Sequence, residues 1–177
     1  VTGVAQNDRL NLRNAPRASG DLVGSFAPGD RLEVMHMASG NWAFANNGEV
    51  AGYVNIKFLT RASSPQAPQM ANGFPLGIQC LGTEPFWSFT IAPNQNVTYK
   101  SLGAGTVRTA ALTNTTHSAS TGSYPYVFTA APFSGILRGE QCNDGMSDNT
   151  YSMSVVINAP TQAGGVTTLY GCCNVQP

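Results

Sequence analysis

Apolar and polar residues alternate with a period of two in short segments of the first third of the chain. Leu10–Arg13 alternates over four positions and Arg31–Met37 over seven, and the turn signals Pro28-Gly29 and Asn46-Asn47-Gly48 lie between such segments. This period is that of a β-strand with one buried face, and tight turns between such segments indicate hairpins. The predicted strands are Leu10–Arg13, Leu22–Phe26, Arg31–Met37, Asn41–Ala45 and Gly52–Asn55. Five short strands in about 60 residues predict a small barrel.

The remainder of the chain also has the pattern of β-structure. Its clearest segments are rich in Thr, Val and aromatic residues, which favour strands. The predicted strands are Trp87–Ile91, Tyr124–Phe128, Tyr151–Ile157 and Val166–Cys173. We therefore predict an all-β protein, in which an antiparallel barrel or sandwich of about 100 residues follows the small barrel.

The segment 62–73 interrupts both patterns. It is small, polar and proline-containing, without hydrophobic periodicity, as linkers are. We predict a domain at residues 1–61, a linker at 62–73 and a second domain at 74–177.

Composition excludes several classes of function. Charged residues make up 10% of the 177 residues and the formal net charge is zero, whereas soluble proteins average about 25% charged residues. Neither part of the chain has the basic stripe that nucleic-acid binding needs. No apolar run approaches the roughly 20 residues of a membrane-spanning helix. Because the chain opens with Val1-Thr2-Gly3-Val4 and no signal peptide, we interpret it as the mature or trimmed form of an exported protein.

All four cysteines lie in the second part of the chain: Cys80, Cys142, Cys172 and Cys173. The CxxC spacing of zinc ribbons and thioredoxin-type redox sites is missing. An even number of cysteines in a chain rich in Gly and Pro fits disulfides formed in an oxidising compartment. Since neighbours on a strand face opposite ways, Cys172 and Cys173 should bond different partners, Cys80 and Cys142, in either of two connectivities. The alternative is a bond between Cys172 and Cys173 themselves.

The first part of the chain resembles a known family. The residues that carry the resemblance are Leu10-Asn11-Leu12-Arg13 with Pro16, Gly40-Asn41-Trp42 and Gly52-Tyr53-Val54. They are similar to the bacterial Src-homology-3-like domain, over essentially all of residues 1–61. The resemblance implies a small barrel on an exported protein that acts at the cell wall, as a module that binds peptidoglycan or peptide. Tyr53 stands where Trp is common in that family.

The second part resembles an envelope family without an assigned activity. The motifs are Cys80-x-Gly82-Thr83-Glu84-Pro85-Phe86-Trp87, the block Cys142–Asp148, and Leu169-Tyr170-Gly171-Cys172-Cys173. Members of that family are commonly labelled lipoproteins or membrane proteins. The resemblance implies an envelope location but no chemistry. The Arg-Tyr-Pro that usually follows the middle block is replaced here by Asn149-Thr150-Tyr151.

The residues that could support catalysis are few. His36 and His117 are the only histidines. His36 lies within a predicted strand, where a structural or exposed histidine is expected. His117 lies in a polar stretch that we interpret as a loop, and a His–Ser pair there would need an orienting acid and an oxyanion hole. Cell-wall amidases need a free thiolate beside a histidine, or two or three histidines around zinc. We therefore expect no enzymatic activity.

The carboxylates leave two further interpretations open. A glycosidase pair of Glu84 with Glu140, Asp144 or Asp148 is compatible with the sequence, although a carboxylate before Pro85 is more typical of a turn. The Asn143–Asp148 segment has the oxygen ligands of a Ca²⁺ site but not the EF-hand pattern. We interpret it as a turn or a loop that contacts a partner through Asp144 and Asp148, and we expect no metal and no cofactor.

Binding is the function that these patterns favour. Trp42, Phe44 and Tyr53 either line a groove, as aromatic residues do in peptide-binding barrels, or fill the small core. The Ser118–Tyr124 stretch is faintly similar to the serine-rich loop of periplasmic C-type lysozyme inhibitors, with Ser120 and Tyr124 as its contact residues. We predict a periplasmic or secreted bacterial envelope protein that binds peptidoglycan or a wall-associated protein. The alternative is an inhibitor of a lysozyme or another wall hydrolase.

Overall fold

The computed structural model describes residues 1–47, 50–61 and 69–176. Apart from one 3₁₀ turn at Ile56–Phe58, its regular elements are all β-strands. The described part of the chain divides into two compact units, each with its own hydrophobic core. The all-β fold predicted from the period-two pattern is thus confirmed.

The first unit is one antiparallel sheet of five strands. They are β1 (Leu10–Arg13), β2 (Leu22–Phe26), β3 (Val34–Met37), β4 (Trp42–Asn47) and β5 (Val50–Asn55), in the order β2-β1-β5-β4-β3. One face of the sheet covers a small core, because alternate residues of each strand point inward. The buried residues are Leu10, Leu12, Phe26, Ala43, Ala45 and Val54.

Two details of this sheet differ from the sequence prediction. Strand β3 begins at Val34 rather than Arg31, so only the second half of the alternating segment pairs with β4. Strand β4 extends to Asn47 and pairs with β5 up to Val50. The predicted turn residue Gly48 lies outside the described residues.

The second unit contains a sheet of nine strands and a short two-stranded ladder. The nine are β6 (Ile78–Thr83), β7 (Phe86–Ile91), β8 (Asn96–Ser101), β9 (Thr106–Ala111), β10 (Asn114–His117), β11 (Tyr126–Ala130), β12 (Phe133–Arg138), β15 (Met153–Pro160) and β16 (Val166–Val175). The ladder pairs β13 (Cys142–Asn143) with β14 (Thr150–Tyr151). All of the pairings within the large sheet are antiparallel.

The large sheet is rolled rather than flat. Its strand order runs β10-β11-β12-β15-β16-β6-β7-β8-β9, so the two edge strands follow each other in the chain. Only Leu112 and Thr113 separate them, and three backbone steps cross at most about 11 Å. Nine strands laid flat would be roughly 38 Å wide. The sheet must therefore curl until its edges approach, which is closer to the barrel than to the sandwich among the two alternatives that the sequence left open.

Large aromatic side chains fill the inside of this rolled sheet. Trp87, Phe89, Phe128 and Phe133 are at most 2% exposed. The ring of Phe89 lies 5.6 Å from that of Phe128 and 5.7 Å from that of Phe133, at tilted and edge-on angles that favour aromatic contact. Residues 74–77, which enter β6, are buried with them. The core is thus built from alternate residues of most strands.

Both disulfides start from the adjacent cysteines of β16. Cys173 bonds Cys80, its direct neighbour on β6, and lies within the main core. Cys172 faces the other way and bonds Cys142, in a small outer cluster with Tyr151. The prediction that the two neighbours reach different partners is confirmed, and the structure selects one of the two connectivities. Both bonds fit an oxidising compartment.

The segment predicted as a linker is described only in its last five residues. There, Asn72 Nδ2 donates to the carbonyl oxygen of Thr115 at 3.0 Å, and the amide of Met70 donates to the Phe74 carbonyl oxygen. The rest of that segment lies outside the described residues, so the boundaries at 61 and 74 stay a prediction. Within the described ranges, no helix is long and apolar enough to cross a membrane.

Candidate functional site

The aromatic residues of the first unit lie on the face of the sheet opposite its core. In β4, Ala43 and Ala45 point inward and are fully buried, so Trp42 and Phe44 point outward. In β5, Val54 is fully buried, and Tyr53 therefore points outward. Each of the three aromatic side chains is only half-buried. Of the two alternatives that the sequence left open, core packing is wrong for these three side chains, because none of them belongs to the buried core of this unit.

Three rings on this face form a continuous row across three strands. His36, Phe44 and Tyr53 are register partners in β3, β4 and β5. The rings of His36 and Phe44 stack with centroids 5.0 Å apart, and those of Phe44 and Tyr53 meet edge-on at 5.1 Å. We call these three residues the outer aromatic row. Arg13 of β1 is the register partner of Tyr53 on its other side, so its side chain leaves the same face of the sheet.

A groove of about 470 Å³ lies next to this row in the same unit. We call it the Trp42 groove. It is lined by Gly3, Val4, Ala5, Asp8, Arg9, Leu10, Asn11, Arg13, Ala18, Trp42, Asn55 and Phe58. The sequence pointed to Trp42 but not to the polar residues beside it. They come together because β1 pairs with β5, and no local pattern in the sequence predicts that pairing.

Neutral oxygen atoms hold both arginines of the groove. Nε of Arg9 donates to Oγ of Ser25 at 2.6 Å, and Nη1 of Arg13 donates to the carbonyl oxygen of Gly20 at 2.7 Å. Among the described residues, the one ion pair is Arg138 with Glu140, in the second unit. The arginines are thus oriented without a carboxylate partner in the described part of the chain.

The predicted contact residues of the serine-rich loop have different environments. Ser120 is exposed between β10 and β11, and its Oγ lies 2.9 Å from that of Ser118. Tyr124 is half-buried, donates to Sδ of Met153 at 3.1 Å and packs edge-on against Tyr126 at 4.9 Å. The loop therefore exposes Ser120 to solvent, while Tyr124 holds the loop on the core.

His117 ends strand β10 and does not lie in a loop, so that sequence interpretation is wrong. Its Nδ1 lies 3.1 Å from the carbonyl oxygen of Ser118, and its ring meets that of Tyr126 edge-on at 6.3 Å. Its strand pairs with β11 in four successive residue pairs, which fixes its position. These contacts orient the ring through the backbone and an aromatic edge.

The acidic loop before β14 is organised by its own side chains. Oδ1 of Asp144 accepts a hydrogen bond from the amide of Met146 at 2.9 Å, and its Oδ2 accepts one from the Tyr151 hydroxyl at 3.0 Å. Thr83 donates its hydroxyl to the Asp144 carbonyl oxygen. Asp144 is thus a turn residue, whereas Asp148 is exposed. The described residues contain no group of three side chains suited to a metal.

The first and the last motif of the second unit meet at one packing site. The Trp87 indole lies against Gly82 on β6 and Gly171 on β16, and a β-carbon at either glycine would overlap the indole ring. The Cys80–Cys173 bond joins the same two strands. Glu84 is exposed in the two-residue turn between β6 and β7. The spacing of these motifs is therefore explained by packing and cross-linking.

No family model, curated protein or solved structure matches this chain. The resemblances described above therefore stay expectations. The outer aromatic row and the Trp42 groove are the arrangement of side chains on which a functional proposal can rest.

Proposed function

We propose that this chain is a non-catalytic binding protein of the bacterial cell envelope, periplasmic or secreted, and that its first unit binds peptidoglycan or a wall-associated protein. The observation that carries the proposal is the outward position of Trp42, Phe44 and Tyr53. Aromatic side chains placed away from a core add little to folding, and stacking and backbone hydrogen bonds suit a ligand made of sugars and peptides. The resemblance of residues 1–61 to a wall-associated module supports the same ligand.

The chemistry of the second unit supports binding rather than catalysis. All four cysteines are in disulfides, so none supplies a thiolate nucleophile. His117 contacts a backbone carbonyl group and a ring edge, and Glu84 sits in an exposed turn. The disulfides stabilise the second unit in an oxidising compartment, which favours the exported location.

The test is retention of the intact protein on insoluble peptidoglycan. We expect Trp42→Ala and Tyr53→Ala each to reduce the bound fraction about tenfold, as the loss of a stacked aromatic contact does. Tyr170→Ala, which removes an exposed tyrosine of the second unit, is the matched control and should bind like the wild type. Circular dichroism checks the fold of each variant.

The same preparation tests for catalysis. The wild type should release no soluble wall fragments during prolonged incubation. Release that disappears in Glu84→Gln or His117→Ala would show that the protein is an enzyme and would overturn the proposal.

A second candidate function rests on the exposed Ser120. A loop that is held at Tyr124 and presents Ser120 has the form of an inhibitor loop that enters the cleft of a lysozyme or another wall hydrolase. Inhibition of lysozyme by the wild type, reduced by Ser120→Arg, together with no retention on peptidoglycan, would support inhibition in place of wall binding. Without inhibition, this second function is excluded for the lysozyme tested.

A further inference from the structure

We propose that the Trp42 groove is a binding site for a short peptide segment with free carboxylates, held by the guanidinium groups of Arg9 and Arg13. The inference rests on the proposed function in one respect, that the first unit binds wall material. The chemical group that the groove recognises is the carboxylate.

The first step of the argument concerns Arg13. This side chain is half-buried, and its Nη1 is fixed by the Gly20 carbonyl oxygen. The opposite edge of the guanidinium, formed by Nε and Nη2, has no partner among the described residues. That edge carries two parallel N–H donors, the geometry that matches the two oxygens of a carboxylate. Because Arg13 is held in place, binding through this edge costs less side-chain entropy than it would for a mobile arginine.

Arg9 supplies a second positive charge in the same groove. Its Nε is fixed by Ser25 Oγ, and the charge of the group is not neutralised by an ion pair in the described part of the chain. Asp8 also lines the groove, but one of its oxygens accepts the amide of Arg9 at 2.7 Å. Two arginines and one aspartate leave the lining with a net charge of about +1, which favours an anionic group.

The remaining lining suits a peptide more than a compact anion. Trp42 and Phe58 offer apolar surface, and Asn11 and Asn55 offer side-chain amides. A groove of about 470 Å³ is within the range of pockets that hold ligands of drug size, larger than an isolated carboxylate or phosphate needs. Arg13, which lines the groove, is also the register partner of Tyr53 in the outer aromatic row, so a longer ligand can extend from the groove towards that row.

The test uses two synthetic tetrapeptides and the intact protein. One peptide, Ala-Glu-Ala-Ala, has free carboxylates, and the other, Ala-Gln-Ala-Ala amide, has the same size without them. Binding is followed by NMR through the indole N–H of Trp42, and that of the buried Trp87 serves as the reference. We expect the acidic peptide to shift the Trp42 signal and to bind at least about tenfold more tightly than the amide, with an affinity that falls as salt is added.

Protein variants separate the roles of the two arginines. Arg13→Gln and Arg9→Gln should each weaken binding of the acidic peptide by about tenfold, and Arg31→Gln, an exposed arginine outside the groove, should not change it. Since Arg13→Gln also removes the bond to Gly20, the comparison of the two peptides on the wild type keeps the proposal testable if that variant unfolds. Equal affinity for both peptides, or no shift at Trp42, would overturn it.

Peptidoglycan with its carboxyl groups amidated by carbodiimide distinguishes this inference from the proposed function. Loss of retention after amidation supports both the carboxylate site and the binding of peptidoglycan. Unchanged retention keeps wall binding but refutes the carboxylate site. Binding of the acidic peptide without retention on native peptidoglycan keeps the site and refutes wall binding.

Discussion

The two units differ in where most of their large aromatic residues lie. In the first unit, Phe26 is the one aromatic residue of the described core, which is otherwise aliphatic, and Trp42, Phe44 and Tyr53 face outward. In the second unit, Trp87, Phe89 and Phe128 are inside. The difference follows from interior volume, since a rolled nine-stranded sheet encloses space that only large side chains fill. Large aromatic residues thus form much of the core of the second unit, whereas in the first unit most of them lie on the outer face of the sheet.

The units also differ in covalent cross-linking. Both disulfides lie in the second unit, and the Cys80–Cys173 bond spans a sequence separation of 93 residues. The described residues of the first unit are held together by non-covalent contacts around six buried side chains. The comparison predicts that treatments acting on the core or the cross-links of one unit leave the other folded.

Loss of the long-range disulfide should have the largest effect. We expect Cys80→Ala with Cys173→Ala to lower the free energy of unfolding of the second unit by about 4–5 kcal/mol, because the open chain gains conformational entropy when it unfolds. Urea titration followed by NMR reports each unit separately, through the indole signals of Trp42 and Trp87. The Trp42 transition should stay at the wild-type urea concentration. A shift of both signals together would show that the units unfold as one.

A methyl group that overlaps the Trp87 indole should lower the stability of the same unit by a smaller amount. Gly82→Ala places a methyl group where the indole lies, and we expect it to cost about 3 kcal/mol of stability, since the ring must leave its position. Gly103→Ala is the matched control, because its β-carbon would meet no atom within 4 Å. Thermal unfolding monitored by the Trp87 signal measures the stability of both variants. Equal stabilities for the two variants would contradict the packing role of Gly82.

Truncating a residue of the outer aromatic row should have the smallest effect on stability. Only the first unit should be destabilised. We expect Phe44→Ala to cost about 1 kcal/mol, the contribution of edge-on and stacked ring contacts on an exposed face. Leu12→Ala, at a fully buried position of the same sheet, should cost at least twice as much. Urea unfolding followed by the Trp42 signal gives the free energy of unfolding of both variants. A larger loss for Phe44→Ala would place that ring in the core after all.

The strength of the alternation did not decide which strands were predicted correctly, since Leu22–Phe26 does not alternate and matches β2, whereas the first part of the alternating segment Arg31–Met37 lies outside β3. Strands β1 and β2 have the predicted bounds, and the opposite faces of Cys172 and Cys173 follow from adjacency on a strand. Strands β6, β8 and β12 bury alternate residues but were not among the predicted strands. Strands β9 and β10 were missed because none of their residues is buried, so the alternating apolar signal is absent. For the same reason, His117 was taken for a loop residue.

The candidate site was predictable only in part. Large and small residues alternate through Trp42–Ala45, so the pattern identifies two faces but not which of them is buried. That choice depends on how much room Leu10, Leu12 and Phe26 leave inside. Arg9 and Arg13 join the site through the pairing of β1 with β5, a contact between segments about 40 residues apart. Such contacts leave no local signal in a single sequence.

The position of β16 constrains the order in which the second unit can be assembled during synthesis. This strand is the last one that the structure describes, yet it is the central strand of the nine-stranded sheet and carries one partner of each disulfide. As the ribosome releases the chain from its N-terminal end, Cys80 and Cys142 emerge first, and the one bond they can form within the chain is absent from the native structure. The two thiols must therefore stay reduced until Cys172 and Cys173 arrive, or a premature bond must be exchanged afterwards.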